Sequence, residues 1–477
     1  MRGSEIHNTK RQTLKKFFKF FLFFFKMGFM AYGGPAMMGF IKREIVFKHR
    51  LLSEDDFNEG IALVNVIPGA TNSQMIAYVG YKLKKGRGSL VAFTAFIIPA
   101  FLEMLAFTYI YKTTGNLGMF MQIFKALAAV VTAIILNTVV MFGSKIIKEW
   151  RLDILALITV AMLVFKFNVI IILLIVVITT FLLFFINKKF WPFTDKGIIK
   201  TQKSYKDKNF GSGMDMDIEA KPDAGILDEK KINSAMVTSN SDHNFKNRTD
   251  LKNSDGNSDK KVEKKLIRKI NPIIFFKTYW AFFISLILVM VSLLTGFFLK
   301  RDLFLAGLTL TKASLLGFGG AIPMLTIIQY DMVNVLKIFS QKQIIDAIVL
   351  GQITPGPIMI TSTFIGYYIF GLIGAMLCTI VAFYPSFAIF SLVAPKYDVV
   401  KDNKYVKLAV RGIMGMFVGM LLFFLYSVGR ESIKGYASAI IAILSFVAIR
   451  LKVREIYVIA VVAIIGVVLY FFNIKIV

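Results

Sequence analysis

The sequence predicts an all-α integral membrane protein, with about 13 transmembrane helices in two homologous, inverted repeats. Three observations predict it. Hydrophobic residues fill 56% of the 477 positions and the mean hydropathy is +0.66, well above the range of soluble domains. Apolar runs near the length that spans a bilayer core, about 20 residues, recur along the whole chain. The chain also says one thing twice.

The duplication is specific. Lys-Met-Gly-Phe-Met-Ala-Tyr-Gly-Gly-Pro at 26–35 is echoed by Lys-Ala-Ser-Leu-Leu-Gly-Phe-Gly-Gly-Ala-Ile-Pro at 312–323. Ile-Pro-Gly at 67–69 is echoed by Ile-Thr-Pro-Gly-Pro at 353–357, Gly80-Tyr81 by Gly366-Tyr367, and Pro99 by Pro385. From glycine pair to Pro-Gly the spacing is 35 and 36 residues, on to Gly-Tyr 12 and 11, and to the last proline 19 in both. A Gly/Pro-interrupted unit repeated inside a very apolar chain is the mark of a secondary transporter.

In chain order, 1–16 is a basic N-terminal segment. The first membrane half, 17–187, holds apolar runs at 17–41, 57–81, 89–111, 119–143, 152–165 and 169–187. Residues 188–270 change composition completely, to alternating charges with Ser, Asn, Asp and Gly. Such a segment buries too little to offset its ordering entropy and is expected to be a disordered linker. Residues 271–302 carry an extra span at 273–298. The second half, 303–477, has runs at 303–330, 344–369, 371–394, 408–428, 433–449 and 455–473. Leu52-Ser53 before Glu54-Asp55-Asp56 and Phe339-Ser340 before Gln341-Lys342-Gln343 both read as helix N-caps with an acid or amide at N3. They fix where each Pro-Gly run begins.

A net charge of +28 would suggest a nucleic-acid partner in a soluble protein. Here the basic residues sit mostly in the loops. With the N-terminus inside, short inner segments carry 21 Lys and Arg against 11 in outer ones, which predicts a multi-pass protein with a cytosolic N-terminus and linker. The extra span then makes the second repeat start from the opposite face, so the repeats are inverted. Cys378 alone forms no intrachain disulfide. The three histidines are scattered, so no metal site is expected, and no nucleophile cluster or phosphate loop suggests an enzyme or a cofactor.

Lys26 and Lys312 each precede a Gly-Gly pair by seven residues, about two helical turns, and so share its face. A central lysine costs roughly 2.5–3.5 kcal/mol to insert. Snorkelling to the interface accounts for one such lysine, but its recurrence in both repeats favours cationic groups that attract an anion. Gly33, Gly34 and Pro35, with Gly319 and Gly320, allow either close helix packing or a broken helix. Pro68 and Gly69 lead into Thr71, Asn72, Ser73 and Gln74. Pro355, Gly356 and Pro357 lead into Thr361, Ser362 and Thr363. Read as kinks, these are structural. Read as starts of half-helices, they point N–H groups and the positive dipole end into a site that suits an oxyanion. Lys125 and Arg411 correspond between repeats, as interfacial anchors or a second ring of charge. Glu103 has no acidic mate and is a candidate proton or cation carrier.

These motifs resemble the chromate ion transporter family in its long, two-domain form. The resemblance rests on Lys26, Gly28, Gly33, Gly34, Pro35, Pro68 and Gly69 in the first half. In the second it rests on Lys312, Gly317, Phe318, Gly319, Gly320, Pro355, Gly356 and Pro357. Tyr32 stands where the family usually has Phe, and Pro68-Gly69-Ala70 lacks the second proline. The resemblance implies a carrier of a chromate- or sulfate-like anion. The partners expected are that anion and the lipid bilayer, with a homodimer left open. An anion channel, or a scaffold acting through the linker, remain the alternatives at this point.

Overall fold

Backbone in lipid must satisfy its own hydrogen bonds, so apolar runs of this kind fold as helices. The computed structural model describes residues 2–32, 36–114, 117–146, 150–186, 272–396 and 403–473, and among these there is no strand. The linker expected at 188–270 lies outside the described residues, as do Gly33, Gly34 and Pro35.

The first repeat comprises α1 (Arg2–Met30), α2 (Ala36–Lys42) with a π-helical turn (Arg43–Lys48), α3 (Glu54–Val66), α4 (Thr71–Thr114), α5 (Gly118–Ile146), α6 (Trp150–Val164) and α7 (Val169–Ile186). After α8 (Pro272–Leu299) comes the second repeat. It comprises α9 (Arg301–Leu316), α10 (Ala321–Gln329) with a π-helical turn (Tyr330–Val335), α11 (Gln341–Ile353), α12 (Thr361–Val393), α13 (Lys404–Ser432), α14 (Tyr436–Arg450) and α15 (Glu455–Phe471). The duplication reaches down to single dihedrals. Helix α4 is broken at Lys84 (φ −141°, ψ 26°) and Lys85 (φ 52°, ψ −149°). Helix α12 is broken at Phe370 (φ −147°, ψ 35°) and Gly371 (φ 57°, ψ −148°). Both expected N-caps form: Ser53 accepts from Asp56 N–H, and Ser340 closes a reciprocal capping box with Gln343.

The chain turns back at both Pro-Gly interruptions, whereas Pro99 and Pro385 lie inside continuous helix. Asp56, at the start of α3, accepts from Lys82 Nζ at 2.9 Å, and Glu59 accepts from it at 2.8 Å. Lys82 ends the first arm of α4, so α3 and that arm enter and leave by one face. In the second repeat Gln343 donates to Tyr368 at 2.6 Å with the same result for α11 and α12. The preceding helices turn back too. Lys312 pairs with Asp331, although a straight helix would hold them about 28 Å apart. The Phe23 and His49 rings meet at 5.0 Å, against about 39 Å in a straight helix. The runs 17–41, 57–81, 303–330 and 344–369 are therefore helical hairpins rather than single crossings, and the expected count of 13 falls accordingly. Sequence hydropathy sees the apolar length of a hairpin but not its direction.

The faces follow from contacts at the ends. Lys84, at the break in α4, lies over the Phe17 and Phe20 rings at 4.5 and 4.7 Å, so α1 starts on the face where the first-repeat hairpins open. The second arm of α4 then runs about 42 Å for its 28 or so residues. Near its far end Tyr111 donates to Asp346, in the second turn of α11, at 2.6 Å. The second-repeat hairpins thus open on the opposite face, and the repeats are inverted.

Two layers result. The hairpins, α8 and the second arms of α4 and α12 form one layer, where Phe93 stacks on Phe387 at 4.5 Å across the repeats. Helices α5–α7 interleave with α13–α15 in the other. There α13 approaches α6 and α7 through small residues: a side chain at Gly412 would strike Thr180, and one at Gly419 would strike Ala156 and Thr159. Small residues at such crossings let membrane helices pack closely. Among the described residues five helices, α4, α5, α8, α12 and α13, are long and apolar enough to cross a bilayer, and α7, α14 and α15 are shorter apolar helices.

The hairpin tips hold the repeats together. Gly69 N–H donates to Gly317 O at 2.8 Å, and Gly356 N–H donates to Ala31 O at 2.6 Å. Each tip of one repeat meets the broken helix of the other. Gly69 (φ +123°) and Gly356 (φ +100°) occupy backbone conformations that favour glycine, and a Cβ on either would collide with Ser386 or Ala100. Gly69→Ala and Gly356→Ala are each expected to cost about 1–3 kcal/mol. This would appear as a lowered melting temperature in detergent, while Gly371→Ala, with nothing within 4 Å of its Cβ position, loses less.

Candidate functional site

The breaks before α4 and before α10 bring two helix N-termini together. The first arm of α4 starts at Thr71, after Ala70, whose side chain cannot cap it. Helix α10 starts at Ala321 after Gly320, which gives no side-chain cap. The two starts are neighbours, since a Cβ at Gly320 would lie 3.4 Å from Thr71 Oγ1. First-turn N–H groups have no acceptor in their own helix, so donors of two helices and their positive dipole ends face one small region. Thr71 and Asn72 are half-buried there, and Ser73 is fully buried with no hydrogen-bond partner for its hydroxyl.

The equivalent junction in the other direction differs. There the second-repeat tip leads into Ile358, Met359 and Ile360, all buried and apolar. The polar residues Thr361, Ser362 and Thr363 follow only after this apolar turn, and the Ser362 hydroxyl, like that of Ser73, is buried with no hydrogen-bond partner among the described residues.

The remaining expected site residues separate on the same basis. Pro68, Gly69, Pro355, Gly356 and Pro357 are buried at the tips, where the two glycine N–H groups are engaged across the repeats. Gln74 donates from Nε2 to Pro68 O at 2.6 Å, which closes the tip, so its amide nitrogen is not free for a ligand. Thr361 donates to Ile358 O at 2.8 Å, and Thr363 shares a hydrogen bond of 2.7 Å with Thr379. The hydroxyls of these two threonines are spent within the fold. Gly319 (φ +85°) and Gly320 (φ +110°) form the turn into α10.

The two lysines have diverged. Lys312 is half-buried and bound to Asp331, so the expectation of two equivalent free cations does not hold. Lys26 is exposed on α1 and forms no ion pair among the described residues. Glu103 is half-buried on α4, three residues beyond Ala100. Lys125, exposed near the start of α5, and Arg411, half-buried near the start of α13, sit apart from the tips toward opposite faces.

Comparison with known proteins agrees with this architecture. A family model described as chromate transporter matches residues 18–182 and 304–467, the two membrane halves. The chain belongs to the chromate transporter family. It is 24% identical over 478 residues to a chromate transport protein of Cupriavidus metallidurans, covering 98% of this chain and 96% of that one. A probable chromate transport protein of Synechococcus elongatus is 22% identical over 472 residues, with 98% of each covered. An uncharacterized transporter of Methanocaldococcus jannaschii is 29% identical over 402 residues, 84% of this chain and 82% of that one. No solved structure matches the chain. The protein is thus a multi-pass membrane protein of an ion-transporting family.

Sequence reasoning missed that Asp331 neutralises Lys312. The spacing was a usable signal only once the interruption was read as a turn. Removing one partner of a buried ion pair strands the other, typically for about 3–5 kcal/mol, whereas replacing both by apolar residues is often tolerated. Asp331→Asn is therefore expected to lower the melting temperature or the folded yield, and Lys312→Met combined with Asp331→Leu to recover it.

Proposed function

We propose that this protein carries a small inorganic oxyanion, of the chromate or sulfate kind, across its membrane by alternating access. The observation that carries the reading is the meeting of two uncapped helix N-termini, α4 and α10, beside the Thr71 and Ser73 hydroxyls. A compact dianion needs several donors converging on it, and helix N-termini supply them without introducing a fixed full charge. A site of this kind binds in mid-membrane yet releases, which a cage of lysines would hinder. The names of the Cupriavidus and Synechococcus relatives support the same substrate class.

Lys26 is exposed on α1 with no ion pair among the described residues, and its role here is to raise the local anion concentration. Lys312 serves structure, by holding α9 against the π-helical turn. The tip bonds argue against one repeat rocking on the other, because that motion would pull Gly69 from Gly317 and Gly356 from Ala31. A movement of the hairpin layer against the α5–α7 and α13–α15 layer keeps both bonds. The hairpin geometry also strengthens the positive-inside bias. Lys42, Arg43, Lys48 and Arg50 join the face of the Lys84–Lys85 turn, while Lys337 and Lys342 go to the other. That first face is the cytosolic one in this reading, and it carries the N-terminus and linker.

Purified protein in liposomes is expected to take up radiolabelled sulfate saturably, with chromate as a competitor. Thr71→Val is expected to raise KM about tenfold at unchanged expression, and Lys26→Ala to slow uptake most at low salt, where charge is least screened. Uptake that does not saturate would favour a channel. Wild-type kinetics in Thr71→Val would remove this junction as the site.

A further inference from the structure

The two hairpins α3–α4 and α11–α12 carry equivalent polar networks at their bases, and their charges differ systematically. In the first repeat Lys42 donates to Glu54 at 2.6 Å, and Lys82 bridges Asp56 and Glu59. In the second, Gln329 donates to Gln341 at 2.7 Å, and Gln343 donates to Tyr368 at 2.6 Å. Four charged positions have become neutral: Lys42 is matched by Gln329, Glu54 by Gln341, Asp56 by Gln343 and Lys82 by Tyr368. The fifth position has kept its acid. Glu59, held by Lys82 and by the Tyr78 hydroxyl at 3.1 Å, is matched by Asp346.

Asp346 is 3% exposed and has no ion pair among the described residues. The one hydrogen bond it receives among them is from Tyr111 Oη, at 2.6 Å, on the opposite repeat. The groups around it are few. Lys342 lies one turn earlier on α11, exposed at the surface. Tyr368 on the returning arm is engaged by Gln343, and Asp331 beyond α10 is engaged by Lys312. Helix α5 brings the exposed Lys125, the short helix at Ile358–Ile360 brings no titratable group, and α13 and α15 carry theirs near their ends. Lys112, next to Tyr111 on α4, lies over the Tyr367 and Tyr368 rings at 5.8 and 5.9 Å, but neither it nor Lys125 nor Lys342 forms with Asp346 the kind of ion pair that Lys82 makes with Glu59 among the described residues. A lone carboxylate in such surroundings is far costlier than the neutral acid.

We propose that Asp346 is a proton-binding site of the carrier, and that its proton couples the seating of the α11–α12 hairpin against Tyr111 to pH. This rests on the transport reading above. With the proton bound, the acid sits neutral beside Tyr111 and the hairpin is seated as described. When the proton leaves, the carboxylate has no counter-charge and the hairpin is driven from α4 toward water. The Asp346–Tyr111 contact joins the base of the second-repeat hairpin to the first repeat, so its making and breaking opens or closes that base while the Gly356–Ala31 bond holds the tip.

The test uses the full-length protein in liposomes, with two readouts. Infrared difference spectra on acidification should show a protonated-carboxyl carbonyl band that vanishes in Asp346→Asn and shifts in Tyr111→Phe. In parallel, Asp346→Asn, which mimics the protonated acid, should keep sulfate–sulfate exchange at symmetric pH but lose the response of net uptake to an imposed pH gradient. An identical band in wild type and Asp346→Asn would overturn the proposal, as would gradient-driven uptake that survives in Asp346→Asn. If the wild type exchanges neither sulfate nor chromate, the transport reading fails instead, and the infrared band alone decides whether Asp346 binds the proton.

Discussion

An interrupted helix inside a membrane leaves backbone groups that water cannot reach, and the rest of this fold follows from how they are paired. Gly69 and Gly356 solve the problem reciprocally, each donating across the pseudo-two-fold to the carbonyl of the other repeat's broken helix, Gly317 or Ala31. Neither repeat can satisfy its own tip. The requirement forces the two to interlock through their tips. It also leaves the first-turn N–H groups of α4 and α10 facing a shared region, which is where a small anion would be held.

Much of this was legible in the sequence, and the limits are instructive. The repeat, its offset, the N-caps at Ser53 and Ser340 and the inversion could all be read from spacing and loop charge. The direction of each interrupted helix could not. Hydropathy over 57–81 is the same whether the chain crosses or returns, and only Lys82 meeting Asp56 and Glu59 decides it. Replacing two crossings by two returns in each repeat leaves every later helix on its original face, so the inversion does not depend on the count of spans.

The candidate site was legible as a region rather than as a residue list. Pro-Gly followed by Thr and Ser reads alike in both halves, and in the second half Thr361 and Thr363 are bonded within the fold while Ser362, like Ser73 in the first, is buried with no hydroxyl partner among the described residues. The repeats share a backbone and have divided the chemistry. The first keeps polar side chains at its tip and ion pairs at its base. The second has an apolar tip, amides at its base, and a single acid without a cation. Duplicated lysines therefore do not imply duplicated roles, as Lys26 and Lys312 illustrate.

The most direct measurement is one of sidedness. Single cysteines at Arg50, Lys85 and Lys337, in a Cys378→Ser background, would be labelled with a membrane-impermeant thiol reagent applied to one face of sealed vesicles. The inverted-hairpin account predicts that Arg50→Cys and Lys85→Cys react from one face and Lys337→Cys from the other. Arg50→Cys and Lys85→Cys reacting from opposite faces would mean that the Pro68–Gly69 segment crosses the membrane, and would contradict the account.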